Sequence, residues 1–419
     1  LHAVRPDYGS VGIRTWPQIL AHAGSYTAAV GQMQFYPWDA KHGFQYRVIC
    51  EDKRWLRVRD DYFHYLKLHG YRTLHGNEHE GYFENRGAII HRLPYEFSWD
   101  HFVGMEARKF IDTYAGDGPF ALMIGFPGPH CPYDPSPDFE GNKFDPATMP
   151  DAIPESPGVT PKLRQQSIDG NKRPWNGVDY TEFTDAHKKK IRAHYAGLVK
   201  QIDHEVGQIL EALRGKGVLD NTVIVFATDH ADYLGDHSLI GKASFYETCM
   251  RIPLIVAPAG GVGGSVDQGA LNQDLVELRD VTATILGFGG CEIPRHMDSR
   301  PLPGLGLTDL PPRQKIFGML TDGLMAFDGR WKLAKYATGE VVLFDLEADP
   351  LEQTNLAGDP RHADQYRRLD MDLTREVMES VRVSVHDRLA HKGDMSQDEI
   401  FGRGDWRRPW PAPIDFALD

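Results

Sequence analysis

The stretch that decides the fold runs from Val223 to His237 and reads VIVFATDHADYLGDH. Its first five residues are apolar and mostly β-branched or aromatic, which predicts a buried strand. The strand ends beside Asp229 and His230, and open α/β sheets place their ligand sites at the carboxyl ends of their strands. An aspartate that caps a turn next to an ordinary polar histidine would explain such a pair on its own. The density of acidic, histidine and lysine side chains from Asp229 to Lys242 favours a metal site instead.

Helices and strands alternate around this stretch. A helix is predicted over residues 184–213, because apolar side chains recur there every three or four residues. Strands are predicted at residues 120–126 before this helix and at residues 253–257 after it. The alternation of strands and helices is typical of the α/β class. We therefore expect a large, mixed and mostly parallel central sheet that is flanked by helices on both faces.

The pattern changes after about residue 311. Short strands are predicted at residues 318–321, 331–336 and 341–345, followed by a polar helix over residues 363–382. Short neighbouring strands with one helix indicate a small antiparallel sheet. The sequence therefore predicts a main α/β domain over residues 1–311 and a C-terminal α+β subdomain over residues 312–419.

Composition and charge limit the class of partner. The 419 residues carry a formal net charge of −13, which argues against nucleic acid or an anionic membrane, because both reward basic patches. The sequence contains no run of about eighteen apolar residues, so no membrane span is predicted. The four cysteines form no C-x-x-C pair, so neither a zinc motif nor a redox motif is indicated. A small molecule remains as the expected partner, while self-association into a homo-oligomer and a cytoplasmic or periplasmic location stay open.

A second polar loop follows the strand predicted at residues 120–126. It reads PGPHCPY from Pro127 to Tyr133, and its prolines hold His130 rigidly at the end of that strand. A histidine fixed on a loop is a candidate for function. The segment that follows, to about residue 180, is rich in Pro, Asp and Gly and is too long for a simple connection. It is interpreted as an insertion that faces the substrate, with a passive surface flap as the alternative.

Five blocks of the chain, taken in order, resemble the sulfatase family of the alkaline phosphatase superfamily. The central block is the stretch from Asn221 through Lys242 to Val256. The other blocks are the strand and P-H-x-P loop at residues 119–132, the long helix at 195–217, the helix at 280–286 and the C-terminal residues 331–356. The resemblance implies an ester hydrolase that uses one divalent metal ion.

The resemblance also implies roles for individual side chains. Asp229 and His230 match two metal ligands, and Ca²⁺ or Mn²⁺ is expected there, with Mg²⁺ as a further option. Oxygen ligands favour Ca²⁺ or Mg²⁺, whereas the histidine shifts the expectation toward Mn²⁺ or another transition metal. Lys242 matches the lysine that grips the sulfate. His130 matches the histidine beside the leaving-group oxygen, where an imidazole could donate a proton.

The remaining polar side chains of the central loop are expected around this centre. His237 is predicted on the substrate side of the site, where it and Asp236 would orient other groups rather than bind the metal. Asp232 is expected in a solvated part of the loop.

Two departures from the family pattern bear on the function. Family members begin with a strand that ends in paired carboxylates and a C-x-P-x-R segment whose Cys or Ser becomes the formylglycine nucleophile, and neither pattern is present here. The pair Asp60–Asp61 is interpreted as an exposed helix start, and the spacing in CEIPR at residues 291–295 is wrong. The simplest account is that the sequence lacks the family's N-terminal segment. The chain alone is then expected to fold poorly, because a sheet without its first strand leaves backbone groups unpaired.

The second departure lies at residues 30–35, which read VGQMQF where many sulfatases have a G-K-x-H pattern. Gln32 and Gln34 replace a cation and a proton donor. Amides still form hydrogen bonds with an oxyanion, so both glutamines are expected to bind substrate, but they contribute no charge. Losing a charge-assisted contact costs roughly 1.5 to 3 kcal/mol, which is enough to change the substrate preference.

Three functions are therefore open. The first is a metal-dependent hydrolase of sulfate esters. The second is a phosphonate monoester or phosphodiester hydrolase on the same scaffold, motivated by His230 together with Gln32 and Gln34. The third is a sulfatase-like binding protein without catalysis.

Overall fold

The computed structural model describes residues 14–54, 57–139, 143–156, 158–260, 269–294 and 297–388. Helices and strands alternate in this part of the chain, which confirms the predicted α/β class. The helices are α1 (Trp16–His22), α2 (Asp61–Leu68), α3 (Trp99–Thr113), α4 (Pro161–Asn171), α5 (Asp185–Gly215), α6 (Glu247–Met250), α7 (Asp280–Phe288) and α8 (Ala363–Arg388). The strands are β1 (Tyr26–Gly31), β2 (Tyr46–Ile49), β3 (Phe120–Gly125), β4 (Ile224–Ala227), β5 (Leu254–Ala257), β6 (Ile316–Leu320), β7 (Gly323–Phe327), β8 (Trp331–Tyr336) and β9 (Val341–Asp345).

The first sheet consists of β2, β1 and β3, and all of its strands are parallel. Ala28 and Val30 of β1 pack into one hydrophobic cluster with residues of α2, α3 and α5. Ala29, whose side chain points to the opposite face, is also fully buried. Since both faces of β1 are covered, its apolar run is continuous and not alternating. The register places Gly31, Ile49 and Gly125 side by side, so the residues that follow all three strands emerge at one edge.

Helix α5 leads the chain from the first sheet to β4. It begins where the hydroxyl of Thr184 accepts a hydrogen bond from the backbone N–H of His187, and its apolar side chains pack toward α3. Gly217, at φ +75°, lies in the left-handed conformation that follows many helices. The chain then enters β4, which delivers the central polar loop.

The sheet around β4 differs in detail from the large, mostly parallel sheet that we expected. Strands β4 and β5 pair with each other in antiparallel fashion, and this pair is separate from the parallel sheet. An apolar run indicates a strand, but it contains no information on the direction or identity of the partner strand.

The C-terminal part is the predicted small antiparallel sheet. Its four strands pair in chain order, β6-β7-β8-β9, and α8 packs against β7 and β8. A hydrophobic cluster that includes Leu333, Leu343, Leu369 and Leu373 lies between the sheet and this helix. A second cluster joins the sheet to residues 233–249 around Tyr246, so the two parts share a core. The division at residue 311 stays a prediction.

None of the helices in the described segments is both long enough and apolar enough to cross a membrane.

Candidate active site

Asp229 and His230 lie in the loop directly after β4 and form the centre of the candidate site. The backbone N–H of His230 donates to Asp229 Oδ1 at 2.9 Å. Desolvation raises the pKa of Asp229, but the contacts of its carboxylate with His230 and the positive charge of Lys242 outweigh it and lower the pKa to about 2. Asp229 is therefore a carboxylate at neutral pH.

The ring of His230 is oriented by its backbone. Nδ1 donates to the carbonyl oxygen of Ala231 at 3.0 Å, which leaves the lone pair of Nε2 facing the site. This Nε2 atom lies 3.1 Å from Asp229 Oδ2 and accepts from Lys242 Nζ at 2.5 Å. A carboxylate oxygen, an imidazole nitrogen and an ammonium group thus converge at one point.

Asp229 Oδ2 and His230 Nε2 fit part of a metal shell. One carboxylate oxygen and one neutral imidazole nitrogen suit a divalent first-row ion. In the described ranges, no group of three or more His, Cys, Asp or Glu side chains is arranged to hold a metal ion. These ranges therefore contain two of the donors that such an ion needs, and the metal itself stays a prediction.

Asp232 positions the loop that carries Lys242. Its carboxylate accepts from Tyr133 Oη at 2.8 Å and from the backbone N–H groups of Leu234 at 3.0 Å and Gly241 at 2.9 Å. The expectation of a solvated loop residue is therefore wrong. The sequence could not reveal this role, because two of the three donors, Tyr133 and Gly241, are not near neighbours of Asp232 in the sequence.

His130 follows β3 on the proline-rich loop. The loop is anchored where the backbone N–H of Gly128 donates to Asp100 Oδ1 at 2.9 Å. Any Cβ at position 128 would lie 2.4 Å from Asp100 Oδ2, so the close approach requires glycine. Nδ1 of His130 donates to the carbonyl oxygen of Cys131 at 2.8 Å, which leaves Nε2 available.

Electrostatics keep His130 neutral in the free protein. Burial, followed by the charge of Arg54, lowers the pKa of His130 to about 4, and Lys242 adds to the effect. The charges of Arg54 and Lys242 both act on the imidazole, and the hydrogen bond from Tyr133 to Asp232 joins the loops that follow β3 and β4. At neutral pH, Nε2 therefore carries no proton in the free protein and can accept a hydrogen bond, and a role of His130 in proton donation stays a prediction.

Gln32 and Gln34 emerge beside this loop, at the carboxyl end of β1. The backbone N–H of Gln32 donates to the carbonyl oxygen of Gly125 at 2.7 Å, and that of Gln34 donates to Glu51 Oε2 at 3.2 Å. Burial raises the pKa of Glu51 to about 7. These contacts fix the backbone of both glutamines, and a contact of their amides with substrate stays a prediction.

His237 occupies a different environment. Its ring is buried and stacks on Tyr246 with ring centres 3.9 Å apart and an interplanar angle of 14°. The neighbouring Asp236 accepts from the backbone N–H of Ile153 at 2.7 Å and forms an ion pair with Arg192. Both residues anchor the loop by packing and hydrogen bonds, and a substrate contact of His237 stays a prediction.

The early acidic pair has the structural role that the sequence indicated. Asp60 caps α2 by accepting from the backbone N–H of Phe63 at 2.9 Å, and Asp61 is the first residue of the helix. Asp60 is buried and not exposed, because its other oxygen accepts from the backbone N–H of Glu51 at 2.8 Å.

Sequence reasoning missed the charged residues that follow β2. Lys53 forms a buried ion pair with Asp134 at 2.8 Å, and Arg54 binds Asp52 through two nitrogens. The run Glu51-Asp52-Lys53-Arg54 follows a short strand, as Asp229 and His230 do. A charged run at the carboxyl end of a parallel strand was therefore the available signal.

Comparisons with known proteins identify the family and the fold of this chain. The sulfatase family model matches residues 10–291. A multifunctional alkaline phosphatase superfamily protein, PehA of Trinickia caryophylli, is 30% identical over 65% of this chain and 58% of its own length. Choline-sulfatase of Rhizobium meliloti is 27% identical over 83% of this chain and 68% of its own length. This chain thus spans about 58% of the first relative and 68% of the second.

A likeness of fold extends the sequence match. The phosphonate monoester hydrolase of Silicibacter pomeroyi superposes with a TM-score of 0.69 at 23% identity, over 87% of this chain and 80% of that one. The resemblance seen in the sequence is confirmed, and the chain belongs to the sulfatase family of the alkaline phosphatase superfamily.

Proposed function

We propose that the protein is a metal-dependent hydrolase of sulfate esters. The observation that supports this best is the convergence of Asp229, His230 and Lys242, with His230 Nε2 3.1 Å from the carboxylate and 2.5 Å from the ammonium. An ammonium suits a tetrahedral oxyanion whose negative charge grows in the transition state. The relative named choline-sulfatase is consistent with a sulfate ester as substrate.

Two side chains of this loop would hold the metal ion. Asp229 Oδ2 and His230 Nε2 would be the donors; the imidazole nitrogen favours Mn²⁺, whereas Ca²⁺ and Mg²⁺ are favoured by oxygen ligands. When bound, a divalent ion polarises the oxygen atoms of the ester.

Lys242 would bind a sulfate oxygen in this reaction. Its ammonium is placed by the loop that Asp232 ties together through the backbone N–H of Gly241. Gln32 and Gln34 would add amide hydrogen bonds without adding charge.

His130 would handle the proton of the leaving group. Because its pKa is about 4 in the free protein, Nε2 carries no proton at neutral pH. An anionic substrate adds negative charge beside the ring and raises this pKa. The imidazole can then take up a proton and pass it to the departing oxygen. The attacking group would be a formylglycine-type nucleophile.

The test uses the full natural protein and 4-nitrophenyl sulfate. We expect release of 4-nitrophenolate, loss of activity with a metal chelator and recovery with Mn²⁺ or Ca²⁺. Activity that persists in the chelator contradicts metal dependence. A metal-loaded protein that releases no product from any sulfate or phosphonate ester would instead fit a binding protein without catalysis.

A phosphonate monoester or phosphodiester hydrolase is the second candidate. His230 in the metal-binding pair and the uncharged amides of Gln32 and Gln34 favour it, because they change the charge of the site. The name of the multifunctional relative is consistent with such breadth. Measuring kcat/KM for 4-nitrophenyl sulfate and 4-nitrophenyl phenylphosphonate separates the two candidates, and a hundredfold preference for the sulfate rejects the second.

A further inference from the structure

The proline-rich loop that carries His130 is anchored on both sides of this histidine. Before it, the backbone N–H of Gly128 donates to Asp100 Oδ1 at 2.9 Å. After it, Asp134 Oδ1 accepts from Lys53 Nζ at 2.8 Å. Between the two anchors, the rings of two prolines restrict the backbone. The position of the imidazole therefore depends on what holds the two ends of this short segment.

The ion pair between Lys53 and Asp134 is buried. The two side chains are 2% and 4% exposed. The ring of His91 lies 3.8 Å from the second oxygen of the carboxylate, and burial lowers the pKa of His91 to about 4, so this ring is neutral at neutral pH. Among the described residues, Lys53 is therefore the cation that neutralises Asp134.

A buried ion pair holds its two partners at a fixed separation. Moving Asp134 away from Lys53 would leave two charges in the interior without a partner, which is strongly unfavourable. Lys53 follows β2, and Asp134 lies in the segment that follows β3. These two strands each pair with β1 and not with each other. The ion pair is therefore a link between the segments that follow two separate strands of the parallel sheet.

The residue before Asp134 connects this segment to the loop of Lys242. The hydroxyl of Tyr133 donates to Asp232 Oδ2 at 2.8 Å. Asp232 in turn accepts from the backbone N–H of Gly241, directly before Lys242, at 2.9 Å. The segment that the ion pair holds therefore contributes to how the two loops lie relative to each other.

We propose that Lys53 is a positioning residue that, through Asp134, holds His130 at the leaving-group oxygen of the substrate. The proposal rests on the proposed sulfate ester hydrolysis, because it concerns the leaving group of that reaction. As the bond between sulfur and this oxygen breaks, its electron pair goes to the oxygen, and the imidazolium passes its Nε2 proton to the same atom. The transfer requires a donor within about 2.6–3.2 Å of the oxygen, and a displacement of about 1 Å can cost a factor of about 100.

The experiment compares two esters that differ in how much they need this proton. 4-Nitrophenolate is a weak base and departs readily without a proton, whereas phenolate is a stronger base and needs one more. We measure kcat/KM with 4-nitrophenyl sulfate and phenyl sulfate for the full-length protein and for its variant Lys53→Met. The variant should slow phenyl sulfate at least about tenfold more than 4-nitrophenyl sulfate, because a positioned acid contributes a factor of about 100 to 10,000. A merely structural role of Lys53 would slow both esters by the same factor.

Two further variants separate the position of the histidine from charge and from stability. Lys332→Met removes another buried lysine, whose ammonium lies 2.8 Å from Glu247 and 2.6 Å from Glu352, and should change both rates by one factor. The double variant Lys53→Met/Asp134→Leu removes both charges and so leaves the net charge unchanged. Replacing a buried ion pair by apolar side chains often preserves stability. The double variant should keep the selective loss with phenyl sulfate, because the link to the loop is still missing.

The outcomes separate this proposal from the function beneath it. A selective loss with phenyl sulfate in both Lys53 variants, together with one common factor in Lys332→Met, supports the proposal. Equal slowing of the two esters by Lys53→Met, a double variant with the wild-type ratio, or a selective loss in Lys332→Met overturns it, while hydrolysis of both esters by the wild type leaves the proposed function intact. Failure of the wild type to hydrolyse either sulfate overturns both. If Lys53→Met does not fold, the ratio of the double variant decides.

Discussion

Two antiparallel strand pairs of this chain, β4–β5 and β8–β9, share their local pairing but not their surroundings. In the first pair, the cross-strand neighbours Phe226 and Ile255 are 41% and 61% exposed. In the second pair, the neighbours Leu333 and Leu343 are completely buried. The difference shows that strand pairing does not decide where the core lies. The exposed pair supports the polar loop of the candidate site, and the buried pair supports the fold.

The two regions meet at Lys332 of β8. Its buried ammonium lies 2.8 Å from Glu247 Oε1 and 2.6 Å from Glu352 Oε1. Glu247 is the first residue of α6, which lies between β4 and β5. Substitutions on the two sides of this contact should therefore affect stability and activity separately.

The largest effect on stability is expected for Lys332→Met. The variant leaves the buried carboxylate of Glu352 without its cation, which costs about 3–5 kcal/mol of unfolding free energy. Denaturant unfolding measures the loss. The control is Lys335→Met in the same strand, because Lys335 pairs with Asp370 at the surface and such pairs are worth at most about 1 kcal/mol. Equal losses of unfolding free energy in the two variants would show that the ion pairs of Lys332 do not stabilise the contact between the two regions.

Lys242→Met should show the opposite behaviour. Removing a cation that stabilises the developing oxyanion lowers kcat/KM by about 100- to 1,000-fold. The unfolding free energy should stay within about 0.5 kcal/mol of the wild type, because the side chain is exposed. Lys200→Met, at a surface pair with Asp203, is the control for activity. If Lys242→Met keeps its activity, or loses stability instead, Lys242 does not belong to the active site.

His237, which lies between the two regions, should make the protein less stable at acidic pH. Burial lowers the pKa of His237 from its ordinary value of 6.5 to about 4. Above pH 6.5 the ring is neutral in both states, and as the pH falls toward 4 only the unfolded chain binds the proton, so stability is lost. This residue alone should cost about 2 kcal/mol between pH 7 and pH 5.

The variant His237→Phe tests this assignment. Phenylalanine keeps the stack on Tyr246 and leaves no ring nitrogen without a partner, whereas both nitrogens of His237 lack one within the described ranges. Urea unfolding at several pH values should give a smaller loss of stability on acidification than in the wild type. Parallel curves for the two proteins would show that His237 does not titrate as expected.

The smallest effect is expected for Ile255→Thr on the exposed pair. The side chain is largely in solvent, and threonine is a good strand former, so the unfolding free energy should change by no more than about 0.5 kcal/mol. The same change to threonine at Val342 buries a hydroxyl and should cost about 1–3 kcal/mol. A large loss at Ile255 would show that this face is covered in solution.

Much of the secondary structure could be predicted from the sequence. The helix predicted at residues 184–213 extends over Asp185–Gly215, and the strand predicted at residues 223–227 extends over Ile224–Ala227. These elements have strong local signals, namely a period of three to four residues and a β-branched run. The pairing of β4 with β5 could not be predicted, because strand direction depends on contacts between distant segments.

The residues of the candidate site also differ in how far the sequence could predict them. Asp229, His230 and Lys242 lie within one short stretch, and the structure brings them together as their spacing suggested. Arg54 and Asp52 follow β2. The sequence does not show that β2 and β3 both pair with β1 and end at the same edge of the sheet.

By itself, the sequence determined the α/β class, the order of helices and strands, the family and the two loops that carry the polar side chains. These properties depend on residues that are close together in the chain or that recur in a fixed order. The tertiary structure alone decided that His237 is buried on Tyr246 and that Asp232 anchors its loop. Burial and pKa depend on which distant segments pack together, because they are set by desolvation and by neighbouring charges.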